Sequence, residues 1–263
     1  MNRLWIAWAC LVASPLVGLG ADLPEIRARG SLKVLHVPVS QDDEFFPSPG
    51  AARPGFDREL LQGFCTLEHL TLEVVPSKGW DTLIPALGEG KGDVIAGRFT
   101  VTEARQKLIL FTSEVFPTRN AVMTRRPHSA VATLEAFRHE KVGTIRGSSM
   151  AEAVVAAGVP PSNIDDSVLA GHLPDALKEG KVTAVVFGIE SAIAARRADP
   201  EFEIGLLLGR AGSLAWGVRR DEPLLLKGLN DYIENVRHTS TWNRLVVKYF
   251  GEQAPEILRR ARD

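Results

Sequence analysis

Cysteine is almost missing from this chain: two residues in 263, Cys10 and Cys65. Cys10 lies in an apolar leader that processing removes, so one thiol remains and no internal disulfide can form. Cys65 follows Leu61 by four residues on a helix and reads as buried apolar filler rather than a reactive thiol. Charge of either sign is not in surplus. A net charge of -1 gives no electrostatic ground for binding nucleic acid or an anionic membrane surface. Zinc-protease HExxH spacing, a Walker loop, a nucleophile elbow and paired Cys/His metal spacing are all absent, and the six histidines are scattered. No metal or cofactor is therefore expected. Beyond the leader no apolar run is long enough to span a bilayer, and no repeat is visible.

The leader has its own pattern. Arg3 supplies a positive start, Leu4 to Leu19 is apolar but broken by Pro15, and Gly18-Leu19-Gly20-Ala21 offers small residues for cleavage. Residues 1–21 read as a secretory signal peptide, cut near residue 21. The rest, within a chain that is 45% hydrophobic and 24% charged, is ordinary for a soluble globular protein. Its length suits one large domain or two lobes of about 100 residues each.

The most informative stretch runs from Gly79 to Phe111. Leu83, Ile84 and Leu87 fall at helical spacing, and Gly88, Gly90 and Gly92 end that helix. Asp93-Val94-Ile95-Ala96-Gly97 is a short apolar run, the pattern of a strand buried on both faces of a parallel sheet. It opens into Arg98-Phe99-Thr100-Val101-Thr102-Glu103-Ala104-Arg105. Ligands of open α/β sheets sit off the carboxyl ends of strands. Thr102 can cap the next helix, and Arg105 offers a fork of donors that suits a carboxylate. The stretch is built to capture a small anion.

Around it, Ser31 to Val37 is a first strand, followed by a Pro- and Gly-rich loop carrying Asp43, Glu44, Phe45 and Phe46. A helix starts at Gly55-Phe56-Asp57, with Asp57 as its cap and Phe56, Leu60 and Phe64 on one face. Leu70 to Val75 alternates as a second strand. This βαβαβ order argues a parallel, helix-covered sheet. A second α/β series follows. Strands are expected at Ala121–Thr124, Lys141–Ile145, Val182–Phe187 and Phe202–Leu208, with helices at Met150–Ala157, Gly171–Gly180 and from Ile189 onward. Leu214 to Arg219 is a last strand. Two amphipathic helices close the chain, the first capped by Asp221-Glu222-Pro223, and residues 251–263 form a charged, frayed tail.

With these elements placed, the chain resembles the periplasmic solute-binding proteins of the polar amino acid class, bacterial extracellular solute-binding protein family 3. The likeness covers about Leu32 to Gly251. Its marks are Gly55-Phe56-Asp57, Trp80-Asp81-x-Leu83-Ile84-Pro85-x-Leu87, Gly92-Asp93-Val94-Ile95, Thr100-Val101-Thr102-x-x-Arg105, Val142-Gly143-x-x-x-Gly147-Ser148-Ser149, Val182-x-Ala184-Val185-Val186 and Tyr249-Phe250-Gly251. The wording of GKGDVIA, TVTEARQK and LAWGVRR is similar to the version found as the regulatory module of membrane-bound lytic transglycosylases.

The resemblance implies an α/β, bilobal periplasmic-binding-protein type II fold, with two parallel-sheet lobes joined by two hinge strands. Residues 22–122 and 213–250 would form lobe 1 and 123–212 lobe 2, with hinges near Val122–Thr124 and Leu208–Ser213, and ligand would close the lobes like a clamp. It also implies a periplasmic monomer that hands its ligand to an ABC permease. Carried over residue by residue, Arg105 pairs with the ligand carboxylate, Thr100 helps hold the ammonium, and Ser148 and Ser149 meet the carboxylate from lobe 2. Trp80 stacks on the ligand side chain, and Phe45 or Phe46 supplies the opposite wall.

One departure stands out. The family's ammonium-binding aspartate ends the strand Val182–Phe187, and Gly188 stands there instead. Either Glu190, Asp43 or Glu44 substitutes, or the ligand is not an α-amino acid. Arg98 and Arg146 also fall at strand ends beside the expected pocket. If both face inward with Arg105, the pocket is positive and selects an acidic ligand, a dicarboxylate or an amino acid with an acidic side chain. Two rival readings share the scaffold. One is a cyclohexadienyl dehydratase-like enzyme with Glu190 or Glu44 as proton donor. The other is a ligand sensor without transport.

Overall fold

The computed structural model describes residues 21–41 and 43–252. The expected leader and the tail beyond residue 252 lie outside the described residues. Among those described, no helix is long and apolar enough to cross a membrane.

The chain opens with α1 (Leu23–Arg29), β1 (Ser31–His36), α2 (Phe56–Leu67), β2 (Thr71–Pro76), α3 (Trp80–Gly88), β3 (Val94–Ile95), α4 (Glu103–Gln106) and β4 (Leu110–Phe111). A long strand, β5 (Phe116–Arg125), leads into α5 (Leu134–Arg138), β6 (Val142–Gly143), α6 (Ser149–Ala156), β7 (Ile164–Asp165), α7 (Leu173–Lys178), β8 (Ala184–Gly188) and α8 (Ile189–Ala198). The long β9 (Phe202–Leu214) leads back to β10 (Gly217–Val218), α9 (Pro223–His238) and α10 (Ser240–Phe250).

Two five-stranded sheets result, ordered β2-β1-β3-β10-β4 and β7-β6-β8-β5-β9. The βαβαβ units pair in parallel, as their alternation predicts. Neither sheet is wholly parallel, however, which corrects the expectation. β10 runs antiparallel to β3 and β4, and β5 runs antiparallel to β8 and β9. The cause is topological: a chain that leaves one lobe and returns must re-enter its sheet from the opposite end.

Each lobe has its own core. Phe56, Phe64 and Cys65 on α2 face inward with Trp216 and Leu229. Burial pushes the Cys65 thiol up to about 12, which leaves it unreactive, as its position on the apolar face implies. The chain leaves this core at Phe116 and rejoins it at Leu214. Val122 and Met123, expected at the first hinge, lie instead in the apolar clusters of the second lobe. The ladder between β5 and β9 breaks register twice, between Thr118 and Asn120 and again between Ala121 and Met123, the second break spanning Val122. Pro117, Arg119 and Asn120 mask the start of β5 as strand, because none has strong β propensity.

Two expected helix caps are replaced. The residue before α2 is Gly55, with φ +89°, and the Asp57 carboxylate reaches elsewhere. At α9 the cap comes from α1: Asp22 accepts from the Leu225 amide at 2.7 Å and the Leu224 amide at 3.2 Å, while also capping α1. Glu222 is taken instead by Arg219, whose Nη1 donates to the carbonyls of Leu87 and Gly92 at 2.6 Å each. This buried cluster joins β10 to the end of α3. Removing one partner of a buried pair costs about 3–5 kcal/mol. Arg219→Ala should lower unfolding stability by about that amount in urea titration, and a loss below about 1 kcal/mol would contradict the assignment.

Candidate functional site

The loop after β3 begins with two left-handed residues, Gly97 at φ +85° and Arg98 at φ +59°. The second is costly for a residue with a Cβ, so its surroundings must hold it. Asp57 supplies one restraint. Its carboxylate, 3% exposed, accepts from the Gly97 amide at 2.8 Å. Burial raises its pKa to about 6, against the pull of the Gly97 and Arg98 amides. The Arg98 side chain supplies the rest. Its guanidinium pairs with Asp43, donates to Ser191 Oγ on α8 at 2.6 Å, and lies 5.6 Å from the centre of the Phe45 ring. Asp43 is itself fixed by the amides of Phe45 and Phe46 at 2.7 and 3.2 Å.

Arg105 follows on α4, where Thr102 caps the helix as its sequence predicts, accepting from the Arg105 amide at 3.3 Å. The Arg105 guanidinium is 4.3 Å above the Phe99 ring and donates to the carbonyls of Thr100 at 2.8 Å and Gly147 at 3.0 Å. The second contact crosses to lobe 2. None of the ion pairs among the described residues uses Arg105. Burial lowers its pKa to about 10, with Glu152 pulling the other way. Beside it Ser149 Oγ donates to Thr100 Oγ1 at 3.0 Å, again between lobes. Ser148 caps α6, accepting from the Ala151 amide and donating to the Ile145 carbonyl, so its hydroxyl is spent on the helix. Close packing here depends on Gly147, at φ +71°. A Cβ there would stand 2.6 Å from the Asp81 backbone at the start of α3.

These groups line one cavity of about 330 Å³ between the lobes, within the range of small-molecule sites. Arg98, Thr100, Arg105, Trp80, Ser148, Ser149 and Glu190 all face it. Glu190 lies beside the position of the missing aspartate. A Cβ built on Gly188 would lie 2.1 Å from Glu190 Oε1, so this carboxylate folds back into the space where a side chain at 188 would begin. Thr118 donates to its Oε2 at 2.9 Å. Burial raises the Glu190 pKa, opposed by hydrogen bonds and by the nearby Arg98 guanidinium.

Three residues expected at the site lie elsewhere. Arg146 points into solvent, its side chain 69% exposed, and makes a two-pronged pair with Asp166 at 2.9 Å. A strand end places a residue near the cleft but does not decide which way it points. Phe45 and Phe46 are fully buried in lobe 1. Phe45 packs edge-on to Phe116 at 5.1 Å and Phe46 stacks on His36 at 4.4 Å, so neither forms a wall of the cavity. Thr118 and Ser191 were not singled out by sequence. Thr118 sits in the unread part of β5, and Ser191 directly follows Glu190 in α8, where sequence alone carries no signal. Among the described residues, no group of three His, Cys, Asp or Glu is placed to hold a metal.

A bilobal α/β body with its lining side chains drawn from both lobes is the architecture of an extracellular binding protein. Residues 44–252 match the family model for bacterial extracellular solute-binding proteins, family 3, and the chain belongs to that family. Among curated relatives, it is 24% identical over 208 residues to the histidine-binding periplasmic protein of Escherichia coli K12, covering 74% of this chain and 78% of that one. It is 22% identical over 200 residues to the membrane-bound lytic murein transglycosylase F of Desulfosudis oleivorans, covering 74% of this chain but only 44% of the relative. The chain thus spans less than half of that relative's length. Among solved structures, an ancestral arginine-binding protein bound to arginine superposes with a TM-score of 0.74 at 27% identity, covering 85% of this chain and 99% of that one. An ancestral amino acid-binding protein described as a precursor of cyclohexadienyl dehydratase gives 0.77 at 23%, covering 87% and 99%.

The restraint from Asp57 has a pH consequence. Its folded pKa, about 6, lies above the ordinary 3.8. The folded state binds this proton more tightly, so the stability it contributes is complete below about pH 4 and is lost as pH rises through about 6. Asp57→Asn should flatten the fall in Tm between pH 4 and 6 relative to wild type. Parallel Tm curves for the two proteins would contradict this.

Proposed function

We propose that the chain captures an α-amino acid between its lobes, with Arg105 on the α-carboxylate and Glu190 on the α-ammonium. One observation carries this reading. A buried guanidinium with only carbonyl and ring partners lines the same cavity as a buried carboxylate whose side-chain partner is a neutral hydroxyl. Each group is poorly compensated in a dry site, and a zwitterion supplies the missing charge to both. Thr100 and Ser149 offer hydroxyls beside Arg105, the first amides of α6 favour the carboxylate, and Trp80 offers an apolar wall.

The cavity lining supports a zwitterion better than the acidic ligand expected from three inward arginines. Arg146 is outside, Arg98 is paired, and Asp43, Glu44 and Glu190 line the cavity with the two arginines. The amino acids named for similar proteins fit a zwitterion site. The family is one of binding proteins, so simple saturable capture is the proposed activity. Export to the periplasm by a leader ending near residue 21, clamp-like closure and delivery to an ABC permease are the accompanying proposals.

Arg105→Ala should weaken amino acid binding by about 2–5 kcal/mol, roughly 30-fold or more, in calorimetry while circular dichroism stays unchanged. Affinity within about threefold of wild type would overturn the role. Gly188→Ala tests the carboxylate. The three atoms nearest the added methyl all belong to the end of the Glu190 side chain, which must shift, so the protein should fold normally and lose about tenfold in affinity. Unchanged affinity would mean that the position of the Glu190 carboxylate is irrelevant to the ligand.

A further inference from the structure

We infer that Arg98 is the specificity-determining residue of this cavity and that it restricts the ligand side chain to uncharged, mainly apolar groups. The inference rests on the amino acid reading above and goes beyond it.

Arg98 puts a guanidinium of the protein's own into the ligand cavity. The residue keeps a left-handed backbone, φ +59°, that a residue with a Cβ adopts only when held there. The holding groups are specific. Asp43 pairs with it, Ser191 accepts from it across the cleft, and the Phe45 ring lies beneath it. Asp43 is 7% exposed, and its other oxygen is engaged by two backbone amides. The carboxylate that could have met a cationic ligand side chain is therefore already neutralised from within.

Much of what is left for a side chain is apolar. Val39, Trp80, Ile145, Leu173, Pro174 and Phe187 line the cavity, with Ser40 and Asn120 as neutral polar neighbours. A lysine or arginine side chain extending from the Arg105–Glu190 anchor meets a fixed guanidinium of like charge. An acidic side chain meets the Glu44 carboxylate and gains no cation, because Arg98 is held by Asp43 and Arg105 by the ligand's own carboxylate. An uncharged side chain meets neither penalty and gains contact with the apolar lining. Selection works here mainly by rejection.

The test is a calorimetric comparison of leucine, methionine, arginine, lysine and glutamate on the full chain. Wild type should bind leucine or methionine at least about tenfold more tightly than any of the charged three. Arg98→Ala frees Asp43, so the affinity for arginine or lysine relative to that for leucine should rise at least about tenfold, whatever the variant does to binding overall. The double variant Asp43→Asn with Arg98→Ala should lose that gain. If Arg98→Ala fails to fold, Arg98→Gly makes the same comparison with the backbone strain relieved. Wild type binding arginine or lysine as tightly as leucine overturns this inference alone, as does an Arg98 variant that folds and gains nothing. Binding of no amino acid at all overturns the amino acid reading and this inference with it.

Discussion

A guanidinium removed from water needs a negative partner, and among the described residues Arg105 makes no ion pair. Its donors rest on two carbonyls, one from each lobe, and its face on Phe99. Neutral acceptors compensate a buried charge only in part. Much of the surrounding structure serves to place this one group. Thr102 caps the short helix that carries it, Gly147 lets the second lobe come close enough to touch it, and Ser149 reaches Thr100 beside it. The same argument with the sign reversed applies to Glu190, which is buried in the facing lobe with a hydroxyl from the crossing strand.

Polar contacts join the lobes around the cavity, beside an apolar one in which Ile145 and Ala170 of lobe 2 pack against the lobe 1 cluster of Leu35, Trp80 and Leu83. Arg105 to Gly147, Ser149 to Thr100 and Arg98 to Ser191 each link a group of lobe 1 to one of lobe 2 around the cavity. The apolar clusters, in contrast, lie largely within one lobe or the other. Such a division gives two firm bodies with a hydrogen-bonded seam, the arrangement in which a bound ligand can shift the balance between open and closed forms. The two crossing strands depart from regular pairing between Thr118 and Asn120 and again between Ala121 and Met123.

Much of this was legible in the sequence where a pattern has a local cause. The strand Val94–Ile95 followed by Thr102 and Arg105 showed both the sheet end and the capped helix, because burial and capping leave marks on adjacent residues. The crossing strands were less legible. Phe116–Asn120 contains Pro117 and polar residues, and its pairing partner lies some ninety positions away. Side-chain direction was not legible at all: Arg98 and Arg146 looked alike as strand-end arginines, yet one is locked to Asp43 in the cleft and the other meets Asp166 in solvent. The loss of an aspartate at 188 read as a departure. Only three-dimensional placement shows the Glu190 carboxylate folded back into the same space.

The account turns on two opposite charges being supplied by one guest. A crystal structure of the protein with a bound amino acid measures this most directly. The account predicts the α-carboxylate within about 3 Å of the Arg105 guanidinium and the α-ammonium within about 3 Å of a Glu190 carboxylate oxygen. A ligand whose carboxylate sits on Arg98, or whose ammonium is held without Glu190, would contradict it.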